Sequence, residues 1–431
     1  MSKIARLVVT SHGSIGDLHP YIAIALGLQA RGHEAIFATG ECYRKKIEDL
    51  GLSFRPVRPD CNWLDDPVVM RRITHPRWGL ARVIRELWLP ALRESYDDTL
   101  AAMEGADLLV AMQVNYSARL VAEKTGLPWV SAMHIPFGLS SAYDPPVFCG
   151  FEGVSRALRI LGPPFWKPLR RVAKWATSGW ARPYHRLRHE LGLPRDESQN
   201  PLTDGFAPRL HLALFSPCIA DKQPDWPPQT IVTGFPWFDR DAAAGLPAEL
   251  SAFLDADPPP IVFTLGTAVS GDGRAQAFFE HSAAAAKALG RRAVLILNDP
   301  RNRPHELPEG VIAVPYAPFL ELFPHAIAIV HHGGIGTTGL AMRAGRPMLI
   351  MPCAWDQPDN AERAARLGIA RTISRNRYTA SRVAAELKRL LDDPSYSRRA
   401  TEVGGPVRQE NGVRVACDAL ESLLPTAAEL T

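Results

Sequence analysis

The first half of the chain alternates short apolar runs with longer amphipathic segments. The apolar runs predict strands, and the helical spacing of apolar residues between them predicts helices. The predicted strands cover 7–10, 35–39, 107–111 and 129–132, and the predicted helices cover 20–30, 41–50 and 115–125. Apolar strands separated by helices are typical of a parallel sheet that is covered on both faces. We therefore predict a doubly wound α/β domain.

The same pattern returns near residue 260. The predicted strands there cover 261–265, 293–297, 326–330 and 348–351. The preceding segment, 236–260, is rich in Pro, Asp and Ala, as a linker with a short helix would be. We expect an α/β fold of two Rossmann-like domains that face a ligand-binding cleft. The predicted units are 1–238, 239–406 and a last helix, 407–431, which follows Gly404-Gly405-Pro406 and packs back on the first domain.

Composition narrows the class of protein. The 431 residues suit two domains of roughly 200 residues each. Hydrophobic residues make up 46% of the chain and charged residues 22%, which allows a sizeable core. The formal net charge of +4 is too small for a dedicated nucleic-acid binder, so we exclude that class. No apolar run reaches the ~20 residues that span a bilayer, and residues 3–10 resemble a first strand rather than a signal peptide.

The six cysteines are scattered and include no Cys-x-x-Cys pair. This spacing indicates neither a structural zinc site nor a disulfide framework. A reducing cytosol is the simplest setting for such a chain. We therefore expect a cytoplasmic protein that is a monomer or a weak dimer.

Residues 152–190 combine basic and large apolar residues, and their only acidic residues are Glu152 and Glu190. The basic residues are Arg156, Arg159, Lys167, Arg170, Arg171, Lys174, Arg182, Arg186 and Arg188. One interpretation is a basic amphipathic surface in peripheral contact with the inner membrane surface. The alternative is an ordinary solvated helical face whose apolar side lies in the core.

A glycine-rich turn follows the predicted strand 326–330. It reads His331-His332-Gly333-Gly334-Ile335-Gly336-Thr337-Thr338. In such a turn, backbone N–H groups and the N-terminus of the next helix approach an anion closely. Hydroxyl groups and a histidine ring add donors, so the pattern predicts a diphosphate site. It lacks the Gly-x-Gly-x-x-Gly of dinucleotide folds and the Gly-Lys-Ser/Thr of a P-loop.

The next predicted strand, 348–351, leads to a polar turn. The turn reads Trp355-Asp356-Gln357-Pro358-Asp359-Asn360. A carboxylate beside an amide offers acceptors and donors to several sugar hydroxyls, and open α/β sheets bind ligands at the C-terminal ends of strands. Phosphate donors and polyol ligands on neighbouring strand ends together describe a nucleotide-sugar site.

With these motifs the sequence resembles the inverting glycosyltransferases of the two-domain GT-B fold, in the UDP-glycosyltransferase superfamily. The family pattern His-His-Gly-Gly-x-Gly-Thr-Thr, then Ala-Gly-x-Pro, then Asp-Gln-Pro-x-Asn-Ala is matched across 331–361. The resemblance also takes in 13–20, 223–227 and 233–236, and therefore spans both domains. It is strongest to bacterial sterol glucosyltransferases and to the catalytic chain of the rhamnolipid rhamnosyltransferase.

The resemblance implies that the second domain binds the donor. His331 should contact the diphosphate, whereas His332 should point away because neighbours in a strand alternate. Asp356 and Gln357 should hold sugar hydroxyls, and Tyr316 stands where many relatives place a Trp that stacks on the nucleotide base. The other residues assigned to the donor are Gly16, Gly266, Thr267, Gly333, Gly334, Gly336, Thr337, Thr338 and Trp355, the last of which either lines the site or merely packs.

Inverting transfer needs a general base that takes the proton of the acceptor hydroxyl. Asp17 is our first candidate because it matches the family position of the base, and the alternative is that it caps a helix. His12, on the same loop, has the better-suited pKa and is second, and His134 is third. His134 and Phe137 are also assigned to the acceptor. Residues 113–115 lack the Asp that partners a catalytic His in plant relatives, so no His–Asp pair is expected.

No metal or other cofactor is expected, because a helix N-terminus can stabilise the leaving diphosphate. The sequences Asp239-Arg240-Asp241 and Asp255-Ala256-Asp257 resemble the metal-binding Asp-x-Asp motif of another glycosyltransferase fold. Both lie in the predicted linker rather than after a strand of the donor domain. We therefore reject them as metal ligands.

We expect an enzyme that transfers a hexose, with UDP-glucose as the favoured donor, to a hydroxyl of an apolar small molecule or lipid such as a sterol. The main alternative is a TDP-rhamnose-dependent transferase that acts on a hydroxy-fatty-acid lipid. A nucleotide-sugar epimerase and a non-catalytic partner of another transferase are weaker alternatives. The intact stretch 331–360 argues against the partner, because a scaffold has no need of sugar ligands.

Overall fold

Two parallel β-sheets carry the fold, one in each half of the chain. The computed structural model describes residues 4–238, 245–267 and 274–424. The strands of the first sheet are β1 (Arg6–Thr10), β2 (Glu34–Thr39), β3 (Ser53–Pro56), β4 (Leu108–Met112), β5 (Trp129–Met133), β6 (His211–Ala213) and β7 (Thr230–Val232). Those of the second are β8 (Ile261–Thr264), β9 (Ala293–Ile296), β10 (Val311–Val314), β11 (Ala328–His331), β12 (Met348–Ile350) and β13 (Ala370–Thr372).

The strand orders are those of doubly wound sheets. The first sheet runs β3-β2-β1-β4-β5-β6-β7, and the second runs β10-β9-β8-β11-β12-β13. All neighbouring strands pair in parallel. Strands β4, β5, β8, β9 and β11 are buried at every position, because helices cover both faces of each sheet. The predicted fold class, two Rossmann-like domains, is confirmed.

Helices connect the strands and cover the sheets. In the first half they are α1 (Ile15–Ala30), α2 (Arg44–Asp49), α3 (Pro67–Ile73), α4 (Gly79–Arg82), α5 (Leu92–Ala102), α6 (Tyr116–Thr125), α7 (Glu152–Arg159), α8 (Gly162–Ser178), α9 (Arg182–Glu190) and α10 (Pro201–Asp204). In the second half they are α11 (Ala248–Leu254), α12 (Ala275–Ala288), α13 (Phe319–Leu322), α14 (Ile335–Ala344), α15 (Gln357–Arg366), α16 (Ala380–Asp392), α17 (Pro394–Gln409) and α18 (Gly412–Glu421). A π-helical turn, Val83–Trp88, follows α4.

Helix α1 begins earlier than the sequence predicts. The proline at position 20 suggested a start near that residue, but the helix starts at Ile15 and Pro20 lies inside it. The carboxylate of Asp17 accepts hydrogen bonds from the backbone N–H and the hydroxyl of Ser14, at 2.7 and 2.8 Å. This capping arrangement stabilises the first turn. It also places Asp17 in that turn, directly after the loop that follows β1.

The end of the chain also differs from the prediction. Helix α17 continues through 404–406, where a break was expected, and ends at Gln409. Gly404 is needed there for close packing on α14, since a Cβ at this position would lie 2.7 Å from the carbonyl oxygen of Met342. Helix α18 then packs on α1, with the Arg31 guanidinium 2.7 Å from the carboxylates of Asp418 and Glu421. The predicted boundary at 238/239 adjoins residues that lie outside the described ones.

The strand order of each sheet reverses at one point, between β1 and β4 and between β8 and β11. Ligands of open α/β sheets bind at such switch points, outside the C-terminal ends of the strands. Asp17 lies in the first turn of α1, directly after the loop that follows β1, and the glycine-rich turn joins β11 to α14. The two segments that carry the strongest sequence motifs therefore lie at the positions where the fold favours a ligand.

Two further features concern the cysteines and the membrane. Cys42 and Cys61 form a disulfide that the scattered cysteine positions did not predict. Within the described residues, the one cluster of potential metal ligands consists of these two sulfurs and Asp60, and disulfide sulfurs are not the thiolates that bind metals. No helix in the described part of the chain is long and apolar enough to cross a membrane.

Candidate active site

A cleft of about 530 Å³ opens between the C-terminal ends of the two sheets. From the first half it is lined by Ser14, Gly16, Asp17, His19, His134 and Ile135. From the second half it is lined by Gly266, Thr267, Asn298, Tyr316, His332, Gly334, Gly336, Thr337, Trp355, Asp356 and Gln357. The cleft therefore joins most of the residues that the sequence assigned to the donor with Asp17 and His134.

The N-terminus of α14 points into this cleft. Its N-cap is Gly334, which has no side chain to satisfy the first N–H groups of the helix. A Cβ added at Gly336 would meet no described atom within 4 Å, so the first turn is open to a ligand. Gly333 has φ +92, and a Cβ there would lie 2.9 Å from Cγ2 of Ile350, so only glycine fits this turn. Exposed N–H groups at a helix N-terminus form an anion site.

Of the two adjacent histidines in the glycine-rich turn, His332 faces the cleft and His331 does not. The His331 ring is fully buried, with Nε2 3.3 Å from the Met348 sulfur and Nδ1 accepting the Gly333 N–H at 3.1 Å. Strand β11 ends one residue later than predicted, at His331, and neighbouring residues alternate in direction. The structure thus contradicts the expected contact of His331 with the diphosphate.

The His332 ring lies between two glycines, Gly266 and Gly334. A Cβ at either glycine would come within 2.5 Å of this ring. Burial lowers the pKa of His332 to about 4, so the ring is neutral at pH 7 and carries one N–H. A neutral imidazole beside a helix N-terminus can donate one hydrogen bond to a phosphate oxygen.

The two threonines of the turn differ in position. Thr337 lines the cleft. Thr338 is fully buried, and its hydroxyl donates to the Gly334 carbonyl oxygen at 2.9 Å, so it acts inside the helix and not on a ligand. Asn298, which the sequence reasoning missed, follows β9 with φ +57 and donates its amide to the Gly266 carbonyl oxygen at 3.1 Å. An Asn directly after an apolar strand was the available signal.

Asp356 and Gln357 lie at the start of α15, after the loop that follows β12, and are close to the glycine-rich turn that leads into α14. The side-chain oxygen of Gln357 accepts the N–H groups of Cys353 and Ala354 at 2.8 and 3.0 Å. Its amide nitrogen has no hydrogen-bond partner among the described residues and remains available as a donor. The Asp356 carboxylate accepts from the Asn360 amide at 2.6 Å. Burial raises the pKa of Asp356 to about 6.

Trp355 both lines the cleft and contacts the other domain. It has φ +51, an unusual conformation for this residue type, and its indole N–H donates to the carbonyl oxygen of Ile73 at 2.9 Å. Its ring packs on a small apolar cluster formed by Met70, Ile73 and Val83. Trp355 therefore lines the cleft and also packs on the first domain, so the two interpretations from the sequence both apply.

A buried ion network ties α15, the helix that starts at Gln357, to the first domain. The Arg363 guanidinium pairs with Asp359 at 2.7 Å and also with Asp144 of the first domain. Asp359 accepts the backbone N–H of Val147 at 2.8 Å. Burial raises the pKa of Asp144, but the charges of Arg363 and its neighbours outweigh burial and lower it to about 2. Paired charges thus hold α15, which carries the residues assigned to the donor, to the first domain, which carries those assigned to the acceptor.

Asp17 and His134 form a hydrogen-bonded pair on the acceptor side. Nε2 of His134 lies 3.0 Å from Oδ1 of Asp17, while Oδ2 is held by Ser14. Burial raises the pKa of Asp17, but the hydrogen bond and charge of His134 and the hydrogen bonds from Ser14 lower it overall. A His–Asp pair therefore exists, contrary to the prediction from residues 113–115. Its carboxylate comes from the first turn of α1 rather than from the loop after β4.

Two predicted site residues lie elsewhere. His12 does not line the cleft; it borders a small cavity with Tyr43 and Trp88, and burial lowers its pKa to about 4. Phe137 does not line the cleft either, and its ring packs edge-to-face on Phe148 with centroids 5.6 Å apart. The structure therefore places neither side chain in the cleft, where the sequence assignments would require it. Both residues are close in sequence to residues that do line the cleft, and the local turn directs their side chains away.

Several aromatic residues outside the motifs line the cleft, whereas the exposed carboxylates of the predicted linker do not. Phe235, Trp237 and Phe238, which follow β7, line the cleft and were missed by the sequence reasoning. Tyr316 is 46% exposed at the cleft and offers a flat face. Asp255 and Asp257 are exposed after α11 and do not line the cleft, and 239–241 lies outside the described residues.

The fold and the cleft define a two-domain transferase that takes sugar from a nucleotide-sugar. Comparison with known families supports this class: a profile of the glycosyltransferase family 28 N-terminal domain matches residues 7–143. A profile of the C-terminal domain of erythromycin biosynthesis protein CIII-like proteins matches residues 285–414. The chain belongs to the inverting GT-B glycosyltransferases of the UDP-glycosyltransferase superfamily.

Individual relatives extend over the whole chain. The O-mycaminosyltylonolide 6-deoxyallosyltransferase of Streptomyces fradiae is 34% identical and covers 98% of both chains. The vancomycin aglycone glucosyltransferase of Amycolatopsis orientalis is 28% identical over 98% of this chain and 100% of its own. A calicheamicin glycosyltransferase structure superposes with a TM-score of 0.71 at 18% identity, covering 97% of this chain and 98% of its own. The protein is a glycosyltransferase that acts on small-molecule acceptors.

Proposed function

We propose that the protein transfers a hexose from UDP-glucose, with inversion, to a hydroxyl of an apolar small molecule or lipid. The observation that carries the proposal is one cleft that holds an open helix N-terminus, the Asp356–Gln357 pair and the Asp17–His134 pair. A TDP-activated 6-deoxyhexose such as TDP-rhamnose is the second candidate donor. It is favoured by the relative whose name describes transfer of a 6-deoxyallosyl group.

The donor would bind with its diphosphate at the N-terminus of α14. There the N–H groups of the first turn, the Thr337 hydroxyl and one His332 N–H are available as hydrogen-bond donors. These groups and the helix dipole stabilise the negative charge that develops on the leaving diphosphate. Asp356 and Gln357 would hold sugar hydroxyls, one as acceptor and the other as donor. We propose that this machinery works without a metal ion.

Asp17 is proposed as the general base. An ionised carboxylate can only accept hydrogen bonds. The 3.0 Å contact between Oδ1 of Asp17 and Nε2 of His134 therefore requires that Nε2 carries a hydrogen. That nitrogen cannot also take the acceptor's proton, and Nδ1 of His134 is buried without a hydrogen-bond partner among the described residues. The Asp17 side chain is 35% exposed and that of His134 only 1%, so we propose His134 as the positioning partner. Asp17 with a lowered pKa is a weak base for a free alcohol. Transfer becomes favourable as the acceptor oxygen bonds to the anomeric carbon and its proton turns acidic.

An apolar acceptor is supported by the cleft lining beside the proposed base. Ile15 and Ile135 flank Asp17 and His134 in sequence, and Phe235, Trp237 and Phe238 add aromatic surface. Burial of an apolar aglycone against such side chains supplies binding energy of about 25 cal/mol per Å². The hydroxyl that reacts is the polar group that this site would orient.

The test is acceptor-dependent release of nucleoside diphosphate. The protein is incubated with UDP-glucose or TDP-rhamnose and a panel of apolar alcohols, and both products are followed by mass spectrometry. We expect release only when an acceptor is present, at the same rate in excess EDTA. Tight donor binding without turnover on any acceptor would overturn the proposed function, and loss of activity in EDTA would overturn its metal independence.

A further inference from the structure

Helix α8 turns two of its four basic side chains inward. The Arg170 guanidinium pairs with Asp225, and the Lys174 ammonium pairs with Asp204. Trp166, on the same inner side, is buried and donates its indole N–H to the Leu158 carbonyl oxygen at 3.0 Å. The sequence alternative, in which the apolar side of 152–190 lies in the core, therefore holds for Trp166 of this helix, but Arg170 and Lys174 face inward with it.

The outer side of α8 carries three large apolar side chains beside Lys167 and Arg171. Leu169, Val172 and Trp175 follow one another at spacings of three residues and share one face, with Trp175 72% exposed. Ile160 and Leu161, in the turn before α8, extend this surface. Of the sixteen exposed large apolar side chains in the described part of the chain, nine lie between residues 143 and 175. We call Phe148, Phe151, Val154, Ile160, Leu161, Leu169, Val172 and Trp175 the outer apolar face.

One end of the outer apolar face contacts residues that are close in sequence to the lining of the active-site cleft. Phe148 packs on Phe137, two residues beyond the cleft-lining Ile135. Next to Phe148, the N–H of Val147 donates to Asp359 in the first turn of α15, two residues from Gln357. An apolar molecule at this end of the outer apolar face would therefore lie near the cleft that holds Asp17.

Exposed basic residues lie on α8 itself and on α9, the next helix along the chain. Lys167 and Arg171 on α8, and Arg182 and Arg186 on α9, are exposed and pair with no carboxylate among the described residues. Glu152 accepts the Gly150 N–H and Glu190 lies near Arg93, so few negative charges remain to offset them. Exposed apolar anchors with an interfacial Trp and unpaired basic residues match the chemistry of an anionic lipid surface.

We propose that the outer apolar face docks on an anionic phospholipid bilayer, and that the cleft receives a hydroxyl acceptor from that membrane. The second half of this statement rests on the proposed function. A second copy of the chain is a poorer occupant, because two identical basic rims would repel each other. A bilayer supplies both the apolar depth for Trp175 and Val172 and the negative charge for Arg182 and Arg186.

The experiment is flotation of the full chain with vesicles of neutral phosphatidylcholine alone or mixed with anionic phosphatidylglycerol. We expect binding to the anionic vesicles that weakens in high salt and is weaker still on neutral vesicles. The variant V172E/W175E should lose at least about tenfold in partitioning, because two apolar anchors become charged. Its control, I4E, also places a charge on an exposed apolar residue and should bind as the wild type does.

The basic rim is tested separately with R182Q/R186Q. Each basic residue near an anionic surface is worth about 1 kcal/mol, so we expect a loss of roughly tenfold or more on anionic vesicles and little change on neutral ones. R382Q/R398Q, which removes two exposed charges from the second domain, is the matched control. Circular dichroism of every variant verifies the fold.

Three outcomes would overturn the docking proposal. They are absence of binding to anionic vesicles, unchanged binding of V172E/W175E, and concentration-dependent self-association or a protein partner that occupies this face in place of lipid. Transfer to a water-soluble acceptor separates the two proposals. V172E/W175E should keep that activity while it loses transfer to a vesicle-embedded acceptor, whereas failure of the proposed function removes both activities in the wild type.

Discussion

The donor side and the acceptor side of the cleft are assembled from the chain in different ways. The donor side uses two consecutive strand ends, after β11 and β12, and most of its polar groups lie within about thirty residues. The acceptor side joins Asp17 to His134, which are 117 residues apart in the chain. They meet because β4 alone separates β1 from β5 in the sheet. A contiguous motif can be recognised in the sequence. Two residues that are brought together only by the strand order of the sheet cannot be recognised there as a pair.

The largest effect is expected from Asp17→Asn, which tests the acceptor side. Loss of the proposed base should lower kcat by about 10³-fold, within the usual range for general-base catalysis. Donor affinity should change little, since the donor groups belong to the second domain. Steady-state kinetics and calorimetric titration with UDP-glucose measure the two quantities. A kcat within a factor of ten of the wild type would remove Asp17 from the proton transfer.

The histidine pair after β11 tests the donor side. His332→Gln should lower kcat by about 10²-fold, because a hydrogen-bond donor to the leaving diphosphate is displaced. His331→Gln should leave kcat largely intact and lower Tm, because its buried ring holds the Gly333 N–H and contacts Met348. Kinetics and thermal unfolding of both variants decide between the two rings. The reverse pattern, with His331→Gln inactive and stable, would contradict the assignment.

The raised pKa of Asp356 makes donor affinity depend on pH. Below about pH 6 the carboxyl group of the free enzyme becomes neutral and loses acceptor capacity toward sugar hydroxyls. The Kd for UDP-glucose should therefore rise by about tenfold per unit as pH falls below 6. Asp17 has a lowered pKa and stays ionised over this range. A Kd that is flat between pH 7 and pH 5 would show that Asp356 does not hold the sugar as its anion.

The smallest effect is expected at Tyr316. Its exposed ring is proposed to stack on the nucleotide base, and such stacking is worth about 1–3 kcal/mol. Tyr316→Ala should raise the donor KM by about tenfold with kcat nearly unchanged, and Tyr316→Phe should behave as the wild type. Equal donor KM values for Tyr316→Ala and the wild type would place the base elsewhere.

Much of the fold was predictable because buried parallel strands are nearly continuous apolar runs. Each strand predicted from such a run is present, within two residues of the expected bounds. Five strands, β3, β6, β7, β10 and β13, were not predicted, because each has only three or four residues and all but the buried β6 are partly exposed at the sheet edges. The helix through Gly404 was not predicted either. Its glycine reflects close packing on α14, which local propensity does not contain.

Most of the residues that form the site could be predicted from the sequence, but the directions of their side chains could not. A shift of one residue in the end of β11 exchanges His331 and His332, because strand neighbours point to opposite sides. Thr338 points into its own helix, where its hydroxyl donates to the Gly334 carbonyl oxygen. In α8 the inward charges Arg170 and Lys174 find carboxylates that are 55 and 30 residues away, so no sequence periodicity could have identified them as the inner side.

The central claim is that one cleft joins a donor site of the second domain to a base of the first. The most direct test is a crystal structure with an unreactive UDP-hexose analogue and an acceptor alcohol. We predict the diphosphate at the N-terminus of α14 beside His332, and the acceptor oxygen about 3 Å from the Asp17 carboxylate. An acceptor hydroxyl bound away from Asp17, or a diphosphate bound away from α14, would contradict the account.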